Sequence, residues 1–132
     1  MPKAVKVGDK ASRTKVFTAD DVKLFADVSL DHNPIHLDAE YAKQTIFKKP
    51  VVHGMLVASM FSGILGMDLP GEGTIAMNLS VAFKRPVFVG DEVTATVEVA
   101  AVREDKPIVT MKVYATNSAG EIVIEGEGTV RV

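Results

Sequence analysis

The feature that most restricts how this chain can fold is an apolar run opened by His53-Gly54 and continued from Met55 to Met67, interrupted only by small or hydroxyl side chains. Extended from Val51 to Leu69, it is long enough to raise the question of a membrane span. The run also holds His53, Ser59, Ser62 and Asp68 with three glycines, and the residues after it form amphipathic strands that need an apolar partner. A helix that is hydrophobic all round is equally the mark of one enclosed by protein. The expectation is a long central helix buried on every side by the rest of the chain.

After Pro70-Gly71-Glu72-Gly73 the pattern changes from helical to alternating. Ile75, Met77, Leu79, Val81 and Phe83 form one set; Val93, Ala95, Val97, Val99 and Ala101 a second; Val109, Met111, Val113 and Ala115 a third; Ile122, Ile124, Val130 and Val132 a fourth. Turn signals at Gly90-Asp91, Glu104-Asp105 and Asn117 to Gly120 separate them, so consecutive strands are expected to run antiparallel. Upstream, Ala11 to Phe17 alternates weakly and reads as a first strand. Thr18-Ala-Asp-Asp then supplies an N-cap with acid in the first turn, so a helix is expected over 19–29. Asp38 caps a short helix through Lys43, and a loop over 44–50 leads into the central helix. An antiparallel sheet with one apolar face, wrapped around one long apolar helix, solves both burial problems at once. The fold class is α+β, and this arrangement is a hot-dog fold.

With 132 residues and 47% apolar composition, the chain 1–132 is expected to form one domain, burying roughly two-thirds of its extended-chain surface. A net charge of -2 and 6% aromatic residues offer neither a basic patch nor a stacking surface for nucleic acid. The absence of cysteine excludes disulfides and thiolate chemistry and suits the reducing cytoplasm. The basic opening MPKAVKVGDK is followed by no apolar core or cleavage site, so the chain is expected to begin at Met1 without a secretory leader. No glycine-rich phosphate loop, nucleophile elbow or dinucleotide fingerprint is present. No cofactor is expected.

All three histidines, His32, His36 and His53, fall in the stretch from Phe25 to Gly63. Histidine is the side chain best suited to proton transfer near neutral pH. Asp31 and His36 flank Asn33-Pro34, which favours chain reversal and excludes a regular helix through 31–36, so the two side chains can converge. His53-Gly54 opens the central helix, whose first N–H groups and positive dipole end suit a carbonyl oxygen gaining charge. Alone, Asp31 reads as a turn-capping aspartate and His36 as a half-buried histidine satisfied by a carbonyl; their joint spacing with His53-Gly54 favours chemistry. His32 is expected on the surface. His32 and His36 are four apart, but Pro34 prevents the helix that would make them a metal-ligand pair, so no metal is expected.

This stretch closely resembles the (R)-specific enoyl-CoA hydratases, the MaoC-like dehydratases of the hot-dog fold. Their motif of Asp followed by Asn-Pro-Ile-His is matched by Asp31, Asn33, Pro34, Ile35 and His36, and their helix entrance, Pro-Val-Val-His-Gly-Met-Leu, by Pro50 to Leu56. One departure is visible: the family's glycine after Phe47 is replaced by Lys48. The resemblance implies that Asp31 and His36 are the catalytic pair and that the substrate is an acyl-CoA, with coenzyme A part of the substrate. It implies hydration of a trans-2-enoyl-CoA to the (3R)-3-hydroxyacyl product.

Around that pair, Gly54 is expected to hold the thioester oxygen. Asn33, His53 and Ser62 are expected to support the site: Asn33 by organising the turn, His53 by shaping the helix entrance and Ser62 by hydrogen bonding into the site or to its own helix. Leu65 and Val130 are expected to wall the acyl pocket. Lys84, Arg85, Arg103 and Lys106 read as ordinary solvated cations and are not named as a site. A homodimer or higher homo-oligomer is expected, because an open sheet leaves edges to be covered. Polyester-precursor supply and fatty-acid oxidation fit the reaction equally. Alternatives are a hot-dog thioesterase, a dehydratase of carrier-protein substrates, whose His-Phe-Pro signature is absent, and a non-catalytic acyl-thioester binding subunit.

Overall fold

The structure, a computed structural model, describes residues 4–132, so the expected chain start at Met1 lies outside the described residues. The chain order is β1 (Lys10–Val16), α1 (Ala19–Ser29), α2 (Pro34–Leu37), α3 (Ala39–Lys43), α4 (Gly54–Met67), β2 (Ile75–Phe83), β3 (Glu92–Val102), β4 (Ile108–Asn117) and β5 (Ile122–Arg131). Among the described residues no helix is long and apolar enough to cross a membrane.

Local chemistry sets the helix limits. Thr18 closes a capping box on α1: its hydroxyl accepts the Asp21 N–H at 3.1 Å and the Asp21 carboxylate accepts the Thr18 N–H at 3.0 Å. That bond, with Lys15 beside it, holds the Asp21 carboxyl below its ordinary value. Asp38 caps α3 by accepting from the N–H groups of Glu40 and Tyr41. At the far end of α4, Asp68 forms an exposed bidentate pair with Arg13 of β1, at 2.6 and 2.9 Å. The hydrogen bond from Arg13 keeps the Asp68 carboxyl below its ordinary value.

The five strands form one antiparallel sheet in the order β1-β3-β4-β5-β2. Its buried face carries Val93, Ala95, Val97 and Val99 from β3, Val109, Met111, Val113 and Ala115 from β4, and Ile124 and Val130 from β5. Against it lie Val57, Ala58, Phe61, Ile64 and Leu65 of α4. Fully burying side chains of this size contributes about 1.5–3 kcal/mol each, so this single interface dominates the fold.

Two features differ from the sequence reading. First, β2 pairs with β5 and not with the strand that follows it, and Ile75, Met77, Leu79 and Phe83 lie exposed along the sheet edge. A register shift between Ala76 and Asn78 breaks the alternation, and β2 crosses so close to β5 that a Cβ on Gly126 or Gly128 would overlap the carbonyl of Ser80 or Asn78. Second, α4 is not enclosed: Met55 is 63% and Met67 61% exposed, while Phe61 and Ile64 are fully buried. One sheet covers one side of a helix, and the outer side of α4 is left to solvent within a single chain.

Lys48 takes a left-handed conformation, φ 67°. The backbone therefore follows the path that glycine favours at this position, with the steric cost a side chain brings there.

The close β2–β5 crossing makes Gly126→Ala a sharp test of the architecture. Overpacking against a backbone carbonyl is expected to lower stability by more than about 2 kcal/mol, read as a fall in denaturant midpoint. An unchanged midpoint would show that β2 does not cross β5 in this way.

Candidate active site

Asp31 follows Leu30, the C-cap of α1, which adopts φ 67°. A leucine in that region costs about 1–2 kcal/mol and turns the chain sharply out of the helix. The turn is then tied locally. The Asp31 N–H donates to the Ser29 hydroxyl at 3.2 Å, and the Asn33 N–H donates to Asp31 Oδ1 at 3.2 Å. Asn33 caps the next turn by accepting the Ile35 N–H at 3.2 Å. Where the sequence reading has only a turn, Pro34–Leu37 is a short helix with Pro34 at its first position. Proline blocks a helix running through from residue 31 but is well suited to start one.

That helical turn carries His36 inward. Its side chain is 11% exposed, against 49% for Asp31. His36 Nδ1 lies 2.6 Å from the Val51 carbonyl oxygen; a carbonyl only accepts, so Nδ1 carries the proton and Nε2 of the neutral ring is a free lone pair. Nε2 stands 3.8 Å from Asp31 Oδ2. This is too far for a direct hydrogen bond, yet one oxygen atom about 2.8 Å from each would bridge it.

Behind this pair sits His53, at the N-cap of α4 and 2% exposed. Its Nε2–H donates to the Asp31 backbone carbonyl at 3.0 Å. Its ring stacks on His36 with centroids 3.8 Å apart, and Phe25 meets it edge-on at 4.9 Å. Donor atoms of Asp31, His36 and His53 lie within 4.8 Å of one another. Both imidazoles, however, spend one nitrogen on a backbone carbonyl, and the other nitrogen of His53, Nδ1, is buried. Only His36 Nε2 and the Asp31 carboxylate face outward, which is short of a three-ligand cation site. His32 lies on the surface, 3.0 Å from Asp27.

The His53 side chain caps nothing at the start of α4, so the first N–H groups of that helix are left for another acceptor. Gly54 lines a cavity of about 480 Å³ with His36, Met55, Phe83, Lys84 and Arg85. Phe83 covers Gly54 so closely that a Cβ there would lie 2.7 Å from its ring. A second cavity, about 320 Å³, is lined by Phe25, Met55, Ser62, Leu65, Asn78 and Val130, among others. Met55 borders both cavities. Ser62 lines the second. Arg103 and Lys106 line neither cavity.

Four features of the site have little or no signature in the sequence. Phe25 reads as one of several apolar positions on α1, and Met55 as one of many on α4. Phe83 has only its place at the end of an alternating set. The Val51 carbonyl, which fixes the His36 tautomer, has no signature in residue identity at all.

A model of the family described as the MaoC-like domain matches residues 3–120. The chain belongs to the MaoC-like family. It is 51% identical to an (R)-specific enoyl-CoA hydratase of Aeromonas caviae over 98% of this chain and 96% of that protein. To an (R)-specific enoyl-CoA hydratase of Rhodospirillum rubrum it is 47% identical, over 97% of this chain and 88% of the other. A solved structure described as the (R)-hydratase from A. caviae involved in PHA biosynthesis superposes with a TM-score of 0.96 at 51% identity, covering 98% of both chains. This MaoC-like chain therefore has the hot-dog fold, with α4 as its central helix.

Proposed function

We propose that this protein is an (R)-specific enoyl-CoA hydratase, adding water reversibly to a trans-2-enoyl-CoA to give the (3R)-3-hydroxyacyl-CoA. The observation that carries the mechanism is the 3.8 Å gap between Asp31 Oδ2 and His36 Nε2, beside the uncapped start of α4 at Gly54. Asp31 and His36 hold one water across that gap. As its oxygen bonds to C3, an O–H bond breaks and the proton passes to the pair. The C2=C3 electrons move toward the thioester, whose oxygen gains negative charge and accepts the Gly54 N–H. The enolate-like state then collapses, the pair returns the proton to C2, and the residues regain their starting state. One group of residues on one face delivers both oxygen and proton, which suits syn addition.

Asn33 positions the turn and Ser62 supplies a hydroxyl to the acyl side. Leu65 and Val130 wall the acyl pocket, which we assign to the second cavity. Coenzyme A belongs to the substrate, and no step requires a cofactor. The cysteine-free composition suits a cytoplasmic enzyme, and the (3R) product suits supply of polyester precursors, the route named for the A. caviae structure.

We further propose that a second copy of the chain covers the exposed edge strand β2 and the outer side of α4. Edge strands with apolar side chains invite pairing, and Ile75, Met77, Leu79, Met55 and Met67 supply such a surface. In solution the protein is expected at twice its chain mass of 14.1 kDa or a higher multiple. Met77→Lys is expected to shift it toward one chain, measured by light scattering. A parent protein at the mass of a single chain would rule the pairing out.

With crotonyl-CoA, the conjugated-enoyl absorbance is expected to fall without thiol release, yielding the (3R) alcohol. Release of thiol would place a thioesterase first. Asp31→Asn and His36→Ala are each expected to lose roughly three orders of magnitude or more in kcat while folding normally. Near-normal turnover in either would remove that residue from the mechanism.

The acyl-pocket assignment is tested at Leu65. Leu65→Gly, checked for folding because the side chain is buried, is expected to shift relative kcat/KM toward longer acyl chains by roughly tenfold or more. The same preference as the parent would take Leu65 out of the pocket wall.

A further inference from the structure

Resting on the hydratase reading above, we propose that His53 is a positioning residue that sets the gap between Asp31 and His36. Its Nε2 stands 3.9 Å from Asp31 Oδ2, beyond direct hydrogen-bond reach, and with that N–H spent on the Asp31 backbone carbonyl it takes no proton in the reaction. Its two attachments act on the two halves of the pair separately. Through Nε2–H it holds the Asp31 backbone carbonyl at 3.0 Å, and through its ring face it supports the His36 imidazole at a centroid distance of 3.8 Å.

Three further features converge on this role. The residue before Asp31, Leu30, sits in the left-handed region, a conformation that persists only where neighbouring contacts enforce it. Among the described residues the Asp31 turn has only short-range ties of its own, to Ser29 and within Asp31–Asn33, whereas His53 anchors it to the buried start of α4. Finally, His53 Nδ1 is buried with no hydrogen-bond partner among the described residues. A phenyl ring would fill the same space without leaving an unsatisfied acceptor, so the contribution of an imidazole here lies in its other nitrogen. Phe25, edge-on at 4.9 Å, fixes the ring from the opposite side.

The consequence is a division between placing and reacting. Asp31 and His36 come from different elements, the exit of α1 and the helical turn α2, and His53 is the side chain that contacts both. A displacement of about 1 Å between reacting groups can cost a hundredfold in rate. Loss of His53 should therefore lower kcat with little change in KM.

Two substitutions separate the attachments. His53→Phe keeps a ring face and removes the donor; His53→Gln keeps an amide N–H able to reach the Asp31 carbonyl and removes the ring. Both are checked for folding by thermal melting and assayed with crotonyl-CoA. His53→Phe is expected to lose about a hundredfold in kcat with KM within about threefold of the parent, and His53→Gln to recover about tenfold of that loss. A folded His53→Phe with kcat within twofold of the parent, or with the change confined to KM, overturns the proposal. A readout independent of turnover is the NMR spectrum of the ligand-free protein. The Asp31 carbonyl 13C resonance should move upfield in His53→Phe and stay in place in His53→Gln, while the His36 Nδ1–H, held by the Val51 carbonyl, persists in both and the His36 ring signals shift and broaden only in His53→Gln. If the parent hydrates no enoyl-CoA, the hydratase reading falls and the spectra alone decide. Unchanged Asp31 and His36 resonances in both variants then overturn the positioning role.

Discussion

One interface governs this molecule: the inward side of α4, carrying Val57, Phe61 and Ile64, against the continuous apolar face of β3 and β4. An α-helix presents its side chains in a stripe, and a single sheet can cover only that stripe. Once Phe61 and Ile64 are buried, the rotation of the helix about its axis is fixed. That rotation places His53 beneath the surface at one end and sends Met55, Ser62 and Met67 outward. The site is a consequence of how the helix is seated. Its first N–H groups, its buried N-cap imidazole and its outward cavity walls all take their places from the same packing.

The Asp31–His36 pair itself is arranged by the backbone. Two carbonyl oxygens, those of Val51 and Asp31, each take one imidazole N–H. Carbonyls cannot donate, so they select the tautomer of each ring and leave His36 Nε2 turned toward Asp31. A side-chain acceptor able to change protonation state would do this less rigidly. The Val51 carbonyl is itself held in place, since Val51 bridges to Phe88 and Val52 donates its N–H to the Val87 carbonyl at 2.7 Å. The segment joining β2 to β3 thus braces the strand-like entrance to α4, and through it the imidazole.

Much of this was legible in the residues, for physical reasons that can be named. Thr18 and Asp38 mark helix starts because their side chains replace missing backbone partners, and both do so here. Alternation reads Val93 to Val99 and Val109 to Ala115 correctly because β3 and β4 are central, but Ala101 lies past a register shift in β3 and is exposed. The same rule misled for β2, where Ile75, Met77 and Leu79 alternate as a buried set does but lie on an edge. Periodicity reports that a face is apolar and not what covers it. The enclosed helix was misread for the same reason: the apolar content of α4 exceeds what its own chain buries. Pairing order was also hidden, because β2 reaches β5 by close approach at Gly126 and Gly128. At the site, Asp31 and His36 carried a spacing that residue types reveal, whereas the Val51 carbonyl and the left-handed Leu30 are backbone facts.

The surfaces that were misread are also those that border the cavities. Met55 lines both, Phe83 lies over Gly54 in the first, and Leu79 lines the second. All three are exposed in one chain. Under the proposed pairing, the apolar surface that drives association is continuous with the surface that receives the substrate. Covering it would exclude water from the neighbourhood of Gly54 and strengthen the hydrogen bond to a developing oxyanion. The Asp31–His36 pair, by contrast, meets His53 and the buried end of α4 within one chain, the contacts on which the proposed positioning rests. Assembly would then act on substrate binding and on the dielectric of the site, while the distance between Asp31 and His36 is set within each chain.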